Sequence, residues 1–228
     1  MTERTATGGA GSRAMRLVAV LGAVVIMAVA ISLLVYAYTR SPTPIAAIQT
    51  GPGQAHLTLA TTPAVGELGG NPTWVSYLAR QDGDWKHTTE YELPAHSEVR
   101  ITVYQFDSAT GLRNPFLSQV QGTVGNVMQV NGKTTTAIDP DQASHTFTAP
   151  QLGIVVPLPG VAANAKNQCA EMPCSLDQAH QTVSFVIRTG EPGWYRWQCF
   201  VPCAAGFIAG FGGPMQTIGY MDGFLHVT

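Results

Sequence analysis

The chain has 228 residues, of which 45% are hydrophobic and only 11% are charged, with 12 Lys and Arg against 14 Asp and Glu. That length suits one domain of ordinary size with a short appendage. The charged fraction falls well below the roughly 25% of an average soluble domain, and there is no basic excess of the kind that holds nucleic acid.

Residues 1–16 carry Arg4, Arg13 and Arg16 and read as a cytoplasmic tail. From Leu17 to Tyr38 the next 22 residues contain neither charge nor Pro, which matches the roughly 20 needed to cross a bilayer core. Three arginines precede this run, Arg40 alone follows it closely, and Tyr36 and Tyr38 stand where an interfacial aromatic belt is expected. The pattern predicts a single-pass helix over residues 17–38 in the plasma membrane, with the N-terminus inside and the rest outside. The run is longer than a signal-peptide core and no small-x-small cleavage site follows closely, so the anchor is read as uncleaved. Setting aside Arg4, Arg13, Arg16, Arg40 and Glu3 leaves eight basic and thirteen acidic residues, a charge of about −5 on the exported part.

Residues 39–55 are rich in Pro and Gly without periodicity and read as a tether, which puts the domain at 56–228. Within it, His56–Ala60, Thr73–Leu78, Glu98–Tyr104, Val127–Val130, Thr182–Ile187, Trp194–Cys199 and Phe224–Val227 alternate in the manner of strands, and Gly, Pro, Asn or Asp bound them. No helical period stands out beyond the anchor. Short strands with frequent turns predict a mostly β domain, a sandwich or barrel. Residues 107–114 and 161–180 read as loops inserted between strands.

All four cysteines lie in the last sixty residues, as Cys169-x4-Cys174 and Cys199-x3-Cys203. Clustered cysteines in even number on the oxidising side of a membrane commonly pair as disulfides. Cys199 and Cys203 also have Met215 and Met221 downstream, and thiolates, an imidazole and a thioether are the ligand set of cupredoxin copper sites. No Gly-x-Ser-x-Gly, phosphate-binding glycine loop or His-Glu-x-x-His helix competes for the chemistry.

Four segments in order resemble subunit II of the haem-copper oxidases, in its single-span form. They are Gln49-Thr50-Gly51-Pro52, Glu92 to Val99 with Pro94, His145 to Ile154 with Pro159-Gly160, and Pro192-Gly193-Trp194-Tyr195 through Gln198-Cys199-x3-Cys203. The resemblance implies a cupredoxin-like Greek-key β-sandwich or barrel behind one N-terminal transmembrane helix. It implies copper, in a CuA-like or mononuclear centre, and an electron-transfer or accessory role beside an oxidase catalytic subunit, with a cytochrome c or another donor supplying electrons. It assigns no catalytic residue. As metal ligands it implies His145, Cys199, Cys203 and, allowing an insertion after Cys203, Met221, with Met215 as the alternative; Val201 would offer only its carbonyl.

The family continues Cys-x3-His-x2-Met after its second cysteine, whereas this chain has Phe207 and Gly210 there, and no histidine between Ala204 and Tyr220. A binuclear site needs a terminal nitrogen on each metal. Three arrangements therefore remain: recruitment of Glu171, Met172, His180 or Met215; a single copper on His145, one or both cysteines and a methionine; or no metal, with Cys199 and Cys203 oxidised. Three roles stay open beside them, an electron-transfer or accessory subunit, a copper-free structural relative and a copper-delivery protein, and the missing histidine does not separate them. Trp197 could serve either core packing or an electron-entry patch.

Overall fold

The computed structural model describes residues 9–39, 42–111, 113–204 and 212–228. The chain divides into two compact units between Ser41 and Pro42. The first holds α1 (Gly9–Thr39). Leu, Val, Ile and Ala dominate it without an interrupting proline, so the backbone satisfies its own hydrogen bonds while every side chain from Ala14 to Tyr36 stands exposed. This stretch is long and apolar enough to cross a membrane.

The second unit is built of strands. In chain order these are β1 (Ile45–Ala46), β2 (Ile48–Gly51), β3 (Gln54–Thr62), β4 (Ser76–Gln81), β5 (Asp84–Lys86), β6 (Glu90–Leu93), β7 (Glu98–Gln105), β8 (Met128–Val130), β9 (Lys133–Thr135), β10 (Ala143–Ala149), β11 (Ile154–Pro159), β12 (Gln181–Arg188), β13 (Gly193–Gln198) and β14 (Asp222–Val227). One sheet runs β1-β6-β14-β13-β10-β11, and the other runs β5-β4-β3-β7-β12-β8-β9 with β2 beside β3. The mostly β class expected from the sequence is the class observed. Strand structure begins at Ile45 rather than at His56, inside the stretch read as tether. There β1 pairs in parallel with β6, matching Ile45 to Tyr91, and β2 pairs with β3. Pairing with residues 46 positions away buries Ile45, and local composition carries no sign of it.

Side chains of period two build the core. Val99, Ile101 and Val103 of β7 and Val183, Phe185 and Ile187 of β12 face inward from one sheet, meeting Tyr91, Phe147, Trp197 and Leu225 from the other. Trp197 sits at the centre, fully buried. It stacks on Phe147 at 5.0 Å and on Tyr91 at 5.5 Å, and Tyr77 meets its edge at 4.7 Å. Its indole N–H donates to the Thr89 carbonyl, so the ring is core structure, not a surface patch. A smaller cluster joins Val65, Leu78, Phe106 and Tyr220 to a Cys169–Cys174 disulfide, whose Cα atoms are 5.8 Å apart. The inserted loop 161–180 is thereby fastened to the domain.

Candidate metal centre

His145 lies on β10, whose seven residues are all buried. Cys199 follows the last residue of β13, and β13 meets β10 at Thr148 and Gln198. The end of one strand thus delivers a thiol beside the start of its neighbour. Cys199 is held by its own N–H, which donates to the Met221 carbonyl, while the Phe200 N–H donates to Thr146 Oγ1. The chain then turns through Pro202 to Cys203.

The donor atoms of His145, Cys199 and Cys203 all lie within 4.8 Å of one another. Cys199 Sγ is 3.7 Å from Cys203 Sγ and 3.9 Å from His145 Nδ1. The two cysteines are unbridged. Cys203 Sγ also lies 3.1 Å from the thioether sulfur of Met215, whose carbonyl accepts from Gln198 Nε2. Two sulfur ligands of one tetrahedral ion, each about 2.3 Å from it, stand about 3.8 Å apart. The spacing and the soft donor set therefore fit one ion of copper or zinc type. Met221 is fully buried in the turn before β14 and holds Cys199 through its carbonyl. The Val201 carbonyl lies 3.4 Å from Cys199 Sγ.

Electrostatics polarise the cluster before any metal arrives. Burial opposes charge on His145, but hydrogen bonds from its ring to Asp107 and Cys199 override this and raise its pKa to about 9. Burial likewise opposes the Cys199 thiolate, and the Cys203 thiol, the imidazolium and the Thr146 N–H outweigh it, holding the thiol well below its ordinary 9. Cys203 is pushed the other way by the neighbouring thiolate and by burial. The two shifts together favour imidazolium and thiolate over the neutral pair, and favour Cys203 as a neutral thiol.

Sequence reasoning missed Asp107, whose Oδ2 lies 3.2 Å from His145 Nε2. It sits in a stretch read as an inserted loop, 38 residues from its partner, and no spacing signal joins them. Of the residues considered as substitute ligands, Met215 is brought to the cysteines. Met172 is buried in the disulfide cluster and Glu171 is exposed. His180 packs against Tyr104 and Phe106 and donates Nδ1–H to the Gln178 carbonyl. Phe207 and Gly210 lie outside the described residues. The remaining histidines are engaged elsewhere. His56 bonds Thr102, His87 meets Tyr220 edge-on, His96 lies in a turn near Glu191, and His226 is bonded to Glu90 beneath Trp194.

No protein-family model matches the chain, and no curated protein is similar to it. Solved structures share its outline weakly. Rusticyanin from Thiobacillus ferrooxidans is 16% identical, with a TM-score of 0.30 over 80% of this chain and 86% of that one. Reduced rusticyanin is 17% identical, with a TM-score of 0.31 over 83% and 87%. A heme-copper terminal oxidase dimer is 13% identical, with a TM-score of 0.29 over 94% and 99%. Likenesses at this level say nothing of what this chain binds or does.

Proposed function

We propose that the chain is a membrane-anchored cupredoxin-like protein that transfers electrons through a single copper ion, as a subunit of or accessory to a respiratory oxidase. The observation that carries this reading is the donor cluster: one imidazole nitrogen and two thiol sulfurs at the mutual spacing of ligands to one ion. His145, Cys199 and Cys203 would hold the metal, with Met215 as the thioether in contact with Cys203 and Met221 as the alternative axial ligand. Copper bound there would supply a one-electron Cu(II)/Cu(I) couple.

The protein's own part is to hold that couple dry and rigid. His145 and Cys199 are buried, and both lie on strands or strand ends fixed by sheet pairing. A rigid, water-excluded donor set changes little between oxidation states, which keeps electron transfer fast. With one imidazole among the described ligand candidates, a second copper would lack a strong terminal nitrogen, so the reading is mononuclear.

A membrane-embedded electron acceptor suits the topology. The apolar helix would anchor the chain in the plasma membrane with Arg13 and Arg16 inside and the β unit outside. Pro42 lies against Gly219, and the Thr43 carbonyl accepts from Thr88, so the chain enters the β unit at the end that carries Cys199. An oxidase catalytic subunit in the membrane and a cytochrome c-like donor outside it would be the partners.

The test is metal content together with the visible spectrum of the purified full-length protein. One copper per chain is expected, with a thiolate-to-copper absorption band that vanishes in Cys199→Ser. A colourless protein that takes up no copper, with Cys199 bonded to Cys203, would overturn the electron-transfer reading in favour of a structural one.

A further inference from the structure

We infer that Asp107 is a positioning residue for this centre: it aims the Nδ1 of His145 at the cysteine sulfurs and biases the site toward the higher metal charge. The inference rests on the metal-site reading above, and its basis is the geometry on both sides of one imidazole ring. Nδ1 faces Cys199 Sγ at 3.9 Å, and Nε2 faces Asp107 Oδ2 at 3.2 Å. A carboxylate only accepts, so Nε2 must carry a proton. The Nδ1 proton, which faces the sulfurs, is then the one that a metal ion displaces, and the freed lone pair points at the site.

Asp107 is not a side chain that happens to be near. It follows β7 on one sheet, whereas His145 lies on β10 of the other, so the contact ties the two sheets together beside the site. The carboxylate and its backbone are clamped. Oδ1 accepts from the Ser108 N–H at 2.7 Å. The Asp107 N–H donates to Gln105 Oε1 at 2.7 Å, and Gln105 Nε2 returns a bond to the Asp107 carbonyl at 2.8 Å. That carbonyl also accepts from the Val161 N–H. Gln105 is itself buried and fixed by Thr61, whose hydroxyl donates to the same Oε1. A network with this many bonds leaves the carboxylate one orientation, toward the ring.

A carboxylate on the far nitrogen makes the near nitrogen a better donor and places negative charge beside the metal. Both effects favour Cu(II) over Cu(I). The side chain has one-fifth of its surface exposed, so solvent attenuates this bias without removing it.

The experiment uses the full-length chain purified in detergent, as wild type, Asp107→Asn and Asp107→Ala. Cu(II) and Cu(I) affinities are measured by chelator competition, and the ring nitrogens of His145 are read by ¹⁵N NMR in the zinc-loaded protein. In Asp107→Ala, metal affinity falls by roughly 10–100-fold and the Nε2–H signal broadens or is lost. Asp107→Asn keeps an acceptor oxygen, so the Nε2–H signal persists, but the ratio of Cu(II) to Cu(I) affinity drops by about tenfold because the charge is gone. Variants that load metal with the wild-type affinity ratio and an unchanged ring signal would overturn the inference and leave the metal site standing. A wild-type protein that takes neither copper nor zinc would remove the site itself, and the role of Asp107 with it.

Discussion

Gly223 offers a sharp test of how the cysteine end of the sandwich is held. It lies on β14 opposite Trp197, and a β-carbon added there would stand 2.0 Å from the Thr89 carbonyl oxygen and 2.6 Å from Thr89 Cβ and Oγ1. None of these is the loose end of a long side chain, so Thr89 must move. Thr89 is the hub of three hydrogen bonds: its carbonyl accepts from Trp197 Nε1 at 2.9 Å, its hydroxyl donates to the Asp222 carbonyl at 2.7 Å, and its Oγ1 accepts from the Gly219 N–H at 2.7 Å. Overpacking a filled core costs about 1–3 kcal/mol. Each of the two or more bonds lost adds about 1 kcal/mol. Gly223→Ala is therefore expected to destabilise the β unit by roughly 3–5 kcal/mol. Urea denaturation followed by tryptophan fluorescence measures it, with the slope against denaturant unchanged. A loss below about 1 kcal/mol would mean that β6 slides freely past β14, and the hub described here would be wrong.

Two further substitutions separate stability from metal chemistry. Met215→Leu nearly conserves volume, so stability should change by less than about 1.5 kcal/mol. Loss of the thioether donor should raise the copper reduction potential and shift the visible band, which redox titration and absorption spectra would register. Tyr91 buries a hydroxyl that has no hydrogen-bond partner among the described residues, and such a group costs about 1–3 kcal/mol. Tyr91→Phe should therefore stabilise the protein by about 1 kcal/mol in thermal or urea unfolding, with the copper spectrum unaltered.

What was legible in the sequence follows a physical divide. Strands with one face in the core, such as β7 and β12, write their burial as alternation, and both were readable. β10 and β11 are buried on both faces, so no alternation marks them; the strand that carries His145 was visible only through its resemblance to a family segment. His145, Cys199 and Cys203 are singled out by that same resemblance, and the fold does bring the three together. Met215, named as the alternative ligand, does reach Cys203, whereas Asp107 arrives from the segment after β7 by a tertiary contact that no local pattern encodes. β1 escaped for a related reason. It exists only because β6, far along the chain, offers it an edge.

The polarised pair also predicts an unusual pH profile for the metal-free protein. Unfolded, the two groups titrate at their ordinary values, 6.5 for His145 and 9.0 for Cys199. Folded, the imidazolium keeps its proton to about 9, and the thiolate forms well below 9. A raised histidine alone gives stability that is lost as pH rises from 6.5 toward about 9. A lowered cysteine alone gives the reverse, stability lost as pH falls below 9. Between 6.5 and about 9 the folded pair holds one proton, on His145, and the unfolded pair also holds one, on Cys199. The two slopes cancel, and stability should be flat across that window. Below 6.5 the unfolded chain binds the additional proton and stability falls. Above 9 unfolded Cys199 and folded His145 release their protons together, and stability falls because folded Cys203 keeps the proton that unfolded Cys203 loses. Each limb is at most about 1.4 kcal/mol per pH unit for each proton exchanged. On the acid limb Glu90, whose carboxyl burial raises above its usual 4.5, acts in the opposite sense, while His56 and His87, which burial lowers below 6.5, add to the fall. Urea denaturation of the copper-free protein in steps from pH 5 to 10 resolves the plateau. A steady slope of about 1.4 kcal/mol per unit across it would mean that only one partner changes its protonation on folding, and that the resting site is not an ion pair.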